Sequence, residues 1–220
     1  MLGRIAAPDE RDNEYLMTDV LPKRLPIRKT RSWYANGAWY NQGNSSSCVG
    51  HGWAHYIEDG PITHKGKVID PFEVYTEAQK VDEWEGENYE GTSVRAGAKV
   101  LQANGSIKEY KWAFDLQTAL EYVLEFGPVV LGIWWYTGMF EPDSKNVIKI
   151  SGIKEGGHAV LWNGANKKRR KARIKNSWGN GKILPKKNNW GKDGHAEIDF
   201  DELDALIKDE GEACIAIENK

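Results

Sequence analysis

Residues 41–55 read NQGNSSSCVGHGWAH, setting a polar Ser/Gly run against the start of a helical pattern, with a cysteine at the junction. A structural cysteine behaves as a small hydrophobe among apolar neighbours; Cys48 does not fit that description. A thiol acts as a nucleophile through its thiolate, and an unperturbed cysteine, with a pKa of about 8.5, is mostly protonated at neutral pH. Two arrangements lower that value. One is a helix N-terminus, whose unpaired N–H groups and macrodipole favour negative charge; the other is a nearby imidazolium. The sequence supplies the first. From Cys48 the run CVGHGWAHYIEDG has helical spacing, with Val49, Trp53, Tyr56 and Ile57 toward one face and a stop at Asp59-Gly60-Pro61.

For the second there are five histidines. His158 heads an apolar β-type run in EGGHAVLWNG, behind two glycines, where it could face an opposing lobe across a cleft. Asn176 ends the next β-type run, in IKNSWG. A hairpin turn at residues 165–170 would return Asn176 toward His158, where its amide could fix the ring tautomer. Thiol, imidazole and orienting amide would then form a nucleophilic triad.

The chain divides by pattern. Residues 1–20 form an extension, charged and proline-punctuated like the stretch that follows to about residue 30. Helical patterns come next: DPFEVYTEAQKVDEWEG, with Pro71 in its first turn and Phe72, Val74, Tyr75 and Ala78 inward; SVRAGAKVLQANG, capped by Ser93 and stopped by Gly105; and LQTALEYVLEFG. Then PVVLGIWWY, NVIKISGI, GHAVLWNGA, KARIKNSWG, GHAEIDF and ACIAIE read as short strands. Helices first and strands later predict an α+β protein with segregated halves, residues 21–115 mainly helical and 116–220 mainly β, and a cleft between them.

Composition narrows the function classes. A net charge of −2 over 220 residues argues against a dedicated nucleic-acid binder. The basic run KKRRKARIK, residues 167–175, reads as a solvated hairpin tip, with contact to an acidic partner the minority alternative. No stretch approaches the roughly 18–20 apolar residues of a membrane span. The acidic first twenty residues lack an apolar signal core, so export is not expected and a cytoplasmic or otherwise reducing compartment is. Two cysteines make no disulfide framework, though counting leaves a single Cys48–Cys214 bridge open. Cys214, in an alternating strand, reads as structural.

NQGNSSSC, GGHAVLWNG and IKNSWGNG…NWGKDGHAEI, in this order, resemble the signature blocks of papain-like cysteine peptidases, and the middle of the chain resembles compact bacterial and viral members. His158 follows Cys48 by 110 residues and Asn176 by 128, so the spacing is somewhat short for the group. The resemblance spans about residues 21–218. It implies a papain-like fold, with a helical left lobe, a β-barrel-like right lobe and the active-site cleft between them. It also implies roles. Cys48 would be the nucleophile, His158 its ion-pair partner and proton donor, Asn176 the orienting amide, and Gln42 an oxyanion donor with the Cys48 N–H. Trp178 would shield the Asn–His bond, while Gly91, Thr92 and Gly157 would line the substrate path. The implied activity is peptide-bond hydrolysis through a thioester acyl-enzyme, with a peptide or protein as substrate and no metal or organic cofactor.

Departures from the family pattern are Val49 for the usual tryptophan after the nucleophile, Ser45 for a disulfide cysteine, Thr92 for a glycine, and an insertion, KILPKKNN, at 182–189. A long inhibitory prosegment is not expected ahead of the catalytic body. In its place, residues 1–20 could lie near the cleft and limit access; the competing reading is a loosely packed surface tail. Two rival functions share the fold: a catalytically silent peptide-binding module, and an acyl transferase or isopeptidase using the same triad. Cys48, His51 and His55 share a helix face at a spacing that could hold zinc, but no metal motif accompanies them. His64 and His195 read as loop and strand-edge residues.

Overall fold

A computed structural model describes residues 2–22, 28–33, 40–60, 69–85, 89–179 and 190–218; His64 and the 182–189 insertion lie outside the described residues. The helices are α1 (Cys48–Asp59), α2 (Pro71–Gln79), α3 (Val94–Ala103), α4 (Leu116–Glu125) and α5 (Phe200–Lys208). The strands are β1 (Thr30–Ser32), β2 (Ile107–Ala113), β3 (Val129–Tyr136), β4 (Lys154–Asn166), β5 (Lys171–Lys175), β6 (His195–Asp199) and β7 (Glu212–Glu218). They build one antiparallel seven-stranded sheet in the order β2-β7-β3-β4-β5-β6, with β1 paired to β4. This is the α+β arrangement expected, with the sheet left open. Residues 21–115 also feed β1 and β2 into it.

Strand alternation splits the core in two, because successive side chains leave opposite faces. Val130 of β3 and Ala159 and Leu161 of β4 join the helical core of α1 and α3. Their neighbours Val129, Leu131, Val160 and Trp162 join the second core, which α4 and α5 cover. Every residue of α1 is buried, so this helix is the layer between α2, α3 and the sheet.

Several local expectations meet the structure well. Ser93 Oγ accepts from the Ala96 N–H at 3.0 Å, and Asp70 caps α2 through Phe72 N–H at 2.8 Å. Others need correction. Phe72 is 45% exposed and packs edge-on to His51, because α2 buries only the stripe through Val74 and Ala78. NVIKISGI makes no strand: only Val147 bridges to Glu197. β2 and α5 were not anticipated, although Phe200, Leu203, Leu206 and Ile207 mark a helical stripe.

The basic run also divides. Arg169, Arg170 and Lys171 pair with Glu197, Asp201 and Asp199 at 2.5, 2.5 and 2.8 Å around the β4–β5 turn, as a solvated tip would. Lys175 departs from that reading. Its side chain is 1% exposed, and Nζ donates to both carboxylate oxygens of Asp59, at 2.8 and 2.7 Å. Burial pushes the Asp59 carboxyl up and the Lys175 amine down, and each opposes the other's shift. Breaking such a pair strands a buried charge, at about 3–5 kcal/mol. Lys175→Met should therefore lose about that much in urea unfolding, and Asp59→Leu/Lys175→Met should recover most of it. Additive losses in the double variant would show that the two groups do not act as a pair.

Candidate active site

Cys48 is the first residue of α1 and is fully buried. The next strand in space, β4, reaches the sulfur: Ala159 N–H donates to Cys48 Sγ at 3.4 Å. That contact brings the stretch of β4 that begins with His158 to the sulfur. The β4–β5 hairpin, in which Leu161 pairs with Lys175, carries Asn176 back to His158, and the His158 Nε2–Asn176 Oδ1 distance is 2.9 Å. An amide oxygen only accepts, so Nε2 carries the proton in this bond and Nδ1 is the nitrogen left for chemistry. Nδ1 is buried and has no hydrogen-bond partner among the described residues.

Aromatic rings enclose the imidazole. Trp178 stacks on His158 at 4.8 Å and 24°, Trp135 meets it edge-on at 4.8 Å, and Phe140 stacks on the outer face of Trp178 at 5.4 Å and 1°. Trp178 thus covers the Asn176–His158 bond. Trp135 and Phe140 were missed in the sequence, where nothing but aromatic type marks them.

Gln42 is buried and tied at three points. Its N–H donates to the Ser177 carbonyl at 2.9 Å, Ser177 Oγ donates to its Oε1 at 2.6 Å, and its Nε2 donates to the Ser45 carbonyl at 2.8 Å. Ser177, also missed, thereby joins the loop before the nucleophile to the residue after Asn176. Gly91 and Thr92 lie on the opposite rim. The Thr92 hydroxyl turns away to Asp82 at 2.7 Å, so the side chain does not narrow the cleft as its place in the family pattern would suggest.

The cleft is filled by the chain's own beginning. The N–H groups of Gly3 and Arg4 donate to the Gly157 carbonyl at 3.1 and 3.0 Å. On the other wall Thr92 N–H donates to the Gly3 carbonyl and Ile5 N–H to the Thr92 carbonyl, both at 2.9 Å. Gly91, at φ +101°, takes a backbone shape that suits glycine, and a β-carbon there would stand 2.5 Å from the Gly3 oxygen. Further along, buried Arg95 holds Asp12 and the Ala7 carbonyl, and Met17 is fully buried. Residues 2–20 are therefore packed on the body, unlike a loose tail.

Burial sets the electrostatics. Burial pushes the Cys48 thiol up to about 11, against N–H groups of Ala159, Gly3 and Val49 that pull it down. Burial also pushes His158 down to about 3, against the Asn176 hydrogen bond. Both shifts favour the neutral thiol and imidazole, where the sequence reading expected a thiolate and an imidazolium. The reason is desolvation, which disfavours both charged forms.

Among the described residues no group of three or more His, Cys, Asp or Glu side chains could hold a metal ion. His51 Nδ1 lies 2.9 Å from the Ser47 carbonyl and 3.1 Å from its hydroxyl. His55 packs against Tyr40, and His195 Nε2 lies 3.2 Å from Asn163 Nδ2. Cys214 is buried, and both cysteines are free, so the bridge left open by counting is not formed. No described helix is long and apolar enough to cross a membrane.

No protein-family model matches this sequence, and no curated protein matches it. Solved structures do match. Xylellain, a cysteine protease from Xylella fastidiosa, superposes with a TM-score of 0.76 at 20% identity, covering 100% of this chain and 96% of that one. Digestive procathepsin L2 proteinase from Tenebrio molitor larval midgut gives 0.66 at 18% identity, over 98% and 77%. Bromelain from Ananas comosus, in complex with the E64 inhibitor, gives 0.62 at 13%, over 88% and 100%. The fold is that of the papain-like cysteine proteases.

Burial lowers His51 to about 4, His158 and His195 to about 3, and His55 well below the ordinary value of 6.5. A histidine whose folded pKa is depressed binds more protons when unfolded, so stability is lost as pH drops. Below about 6.5 the unfolded chain takes up these protons first, and the loss grows until the folded pKa values near 3–4 are reached. Melting temperature should therefore fall steeply between pH 6.5 and pH 4. An NMR titration in which these rings take up protons near pH 6.5 in the folded chain would show that they are not buried in the neutral form.

Proposed function

We propose that the chain is a cysteine peptidase that hydrolyses peptide bonds with Cys48, His158 and Asn176, and that residues 2–5 hold it closed. The observation that carries the reading is a sulfur at a helix N-terminus that the Ala159 N–H reaches at 3.4 Å, next in the chain to an imidazole whose far nitrogen is fixed by an amide oxygen at 2.9 Å. Cysteine proteases sharing the fold support it.

In the open enzyme, water and substrate replace residues 2–5, and the penalty on the ion pair falls. The Cys48 proton moves to His158 Nδ1, and the thiolate attacks the substrate carbonyl carbon. Charge builds on the carbonyl oxygen, where the Cys48 N–H and the Gln42 amide would donate; losing one such donor costs about 3 kcal/mol of barrier. His158 protonates the departing amine and leaves a thioester. Water, deprotonated by the now neutral His158, cleaves the thioester and restores the thiol. Transfer to an amine in place of water would use the same groups.

The covered state supports the regulatory half. Gly3 has no room for a side chain, since its β-carbon would lie 1.9 Å from the Ser46 carbonyl oxygen. Gly3→Val should therefore dislodge the segment without touching the triad. We expect at least about tenfold faster alkylation of Cys48 by a thiol-reactive epoxide at pH 6, and a matching rise in peptide turnover. Cys48→Ser should abolish turnover in the Gly3→Val background. Alkylation of Gly3→Val at the rate of a simple exposed thiol, with no turnover, would favour the silent peptide-binding module.

A further inference from the structure

Among the described residues of the covering segment, Arg4 is the one whose side chain is buried. The backbone bonds of Gly3, Arg4 and Ile5 to Gly157 and Thr92 are indifferent to sequence, as in any strand added to a rim. The Arg4 side chain is not. It is 1% exposed, and its Nε and Nη2 donate to Glu212 Oε1 at 3.2 and 3.1 Å. Nη2 also donates to the Glu210 carbonyl at 2.6 Å, and the guanidinium lies 5.9 Å from the Trp134 ring centre.

The recess is shaped for this guest. A β-carbon on Gly132 would stand 2.6 Å from Glu212 Oε1, 2.9 Å from Arg4 Nε and 2.9 Å from Val94 Cγ2, so the absent side chain of β3 is what leaves room for the guanidinium. The acid is part of the recess floor: Glu212 opens β7 and is 7% exposed. Burial pushes its carboxyl up, and the Arg4 guanidinium opposes that shift. When Arg4 leaves, Glu212 is left buried and without its partner. A replacement cation restores the pair; an apolar group does not.

On the peptidase reading above, we infer that the Gly132–Glu212 recess is a specificity pocket for an arginine or lysine side chain of the substrate, and that Arg4 occupies it as an internal mimic. Gly3 abuts Cys48, so the basic residue belongs within a residue or two of the bond that is cut, not at a remote exosite. The natural substrates are then proteins or peptides with a basic residue next to the cleavage point, and selectivity comes from leaving Glu212 unpaired with any other guest.

The test uses the full chain and its Gly3→Val form with matched fluorogenic peptides in which arginine or leucine is placed in turn at each position flanking the cleaved bond. At one position kcat/KM for arginine should exceed that for leucine by about tenfold or more, and Glu212→Gln should bring this ratio close to one. The ratio is independent of how much enzyme is uncovered, so release of Arg4 by the same substitution does not distort it. Glu212→Asp, which keeps the charge, should retain a basic preference, and it carries the test if the glutamine variant does not fold. Equal ratios for the wild-type chain and Glu212→Gln, or leucine favoured throughout, would overturn the pocket. The same ratio read from Cys48 alkylation by arginine- and leucine-bearing peptidyl electrophiles needs no turnover. Arginine-biased labelling without hydrolysis would remove the peptidase reading and keep the pocket, whereas unbiased labelling would remove the pocket.

Discussion

The contact between the start of α1 and the edge of β4 is the constraint on which the site depends. Ala159 N–H reaches Cys48 Sγ at 3.4 Å, and every other catalytic distance follows from it through the chain. At the far end of the same helix Asp59 grips Lys175, the residue before Asn176. A twelve-residue helix is about 18 Å long, so these two contacts pin α1 to the sheet near both ends and fix its rotation as well as its position. The buried ion pair is a poor source of stability compared with apolar packing. Its effect here is registry: it ties the strand that carries Asn176 to the helix that carries the sulfur.

Much of this was legible because chemistry and periodicity coincide. Cys48 stands where a polar run meets a helical one, His158 and Asn176 sit at corresponding ends of two β-type runs, and the hairpin between them makes their meeting a matter of counting. What could not be read was the environment. Lys175 looked like the end of a solvated basic run, since charge runs are usually surface, and only the tertiary approach of Asp59 buries it. Phe72 looked like core because it is large and apolar, but α2 presents too narrow a stripe to cover it. Glu212 gave no signal at all: one acid before an alternating strand is unremarkable until Gly132 is placed across from it.

The same limit explains the inverted electrostatics. A helix N-terminus and a histidine together suggest a charged pair, and that inference holds for a hydrated cleft. Burial excludes water, and desolvation then outweighs the N–H groups that point at the sulfur, leaving Cys48 near 11 and His158 near 3. Covering the site and silencing it are thus one physical act.

On the proposed reading a peptide lying across Cys48 is itself exposed to cleavage, and the geometry of this segment opposes it. Gly3 presents its N–H to Cys48, while its carbonyl is turned to the Thr92 N–H at 2.9 Å on the other wall. The sulfur therefore faces a hydrogen-bond donor, not an electrophilic carbon. Arg4 runs parallel to residue 92, and this sense is fixed by the Gly3–Thr92–Ile5 bonds. Sliding the segment by one residue to offer a carbonyl would break those bonds and pull Arg4 from Glu212. The ion pair in the recess thus locks the register that keeps the cover intact, and a substrate is distinguished from the cover by setting a carbonyl, with the same kind of side chain, where the cover sets an N–H.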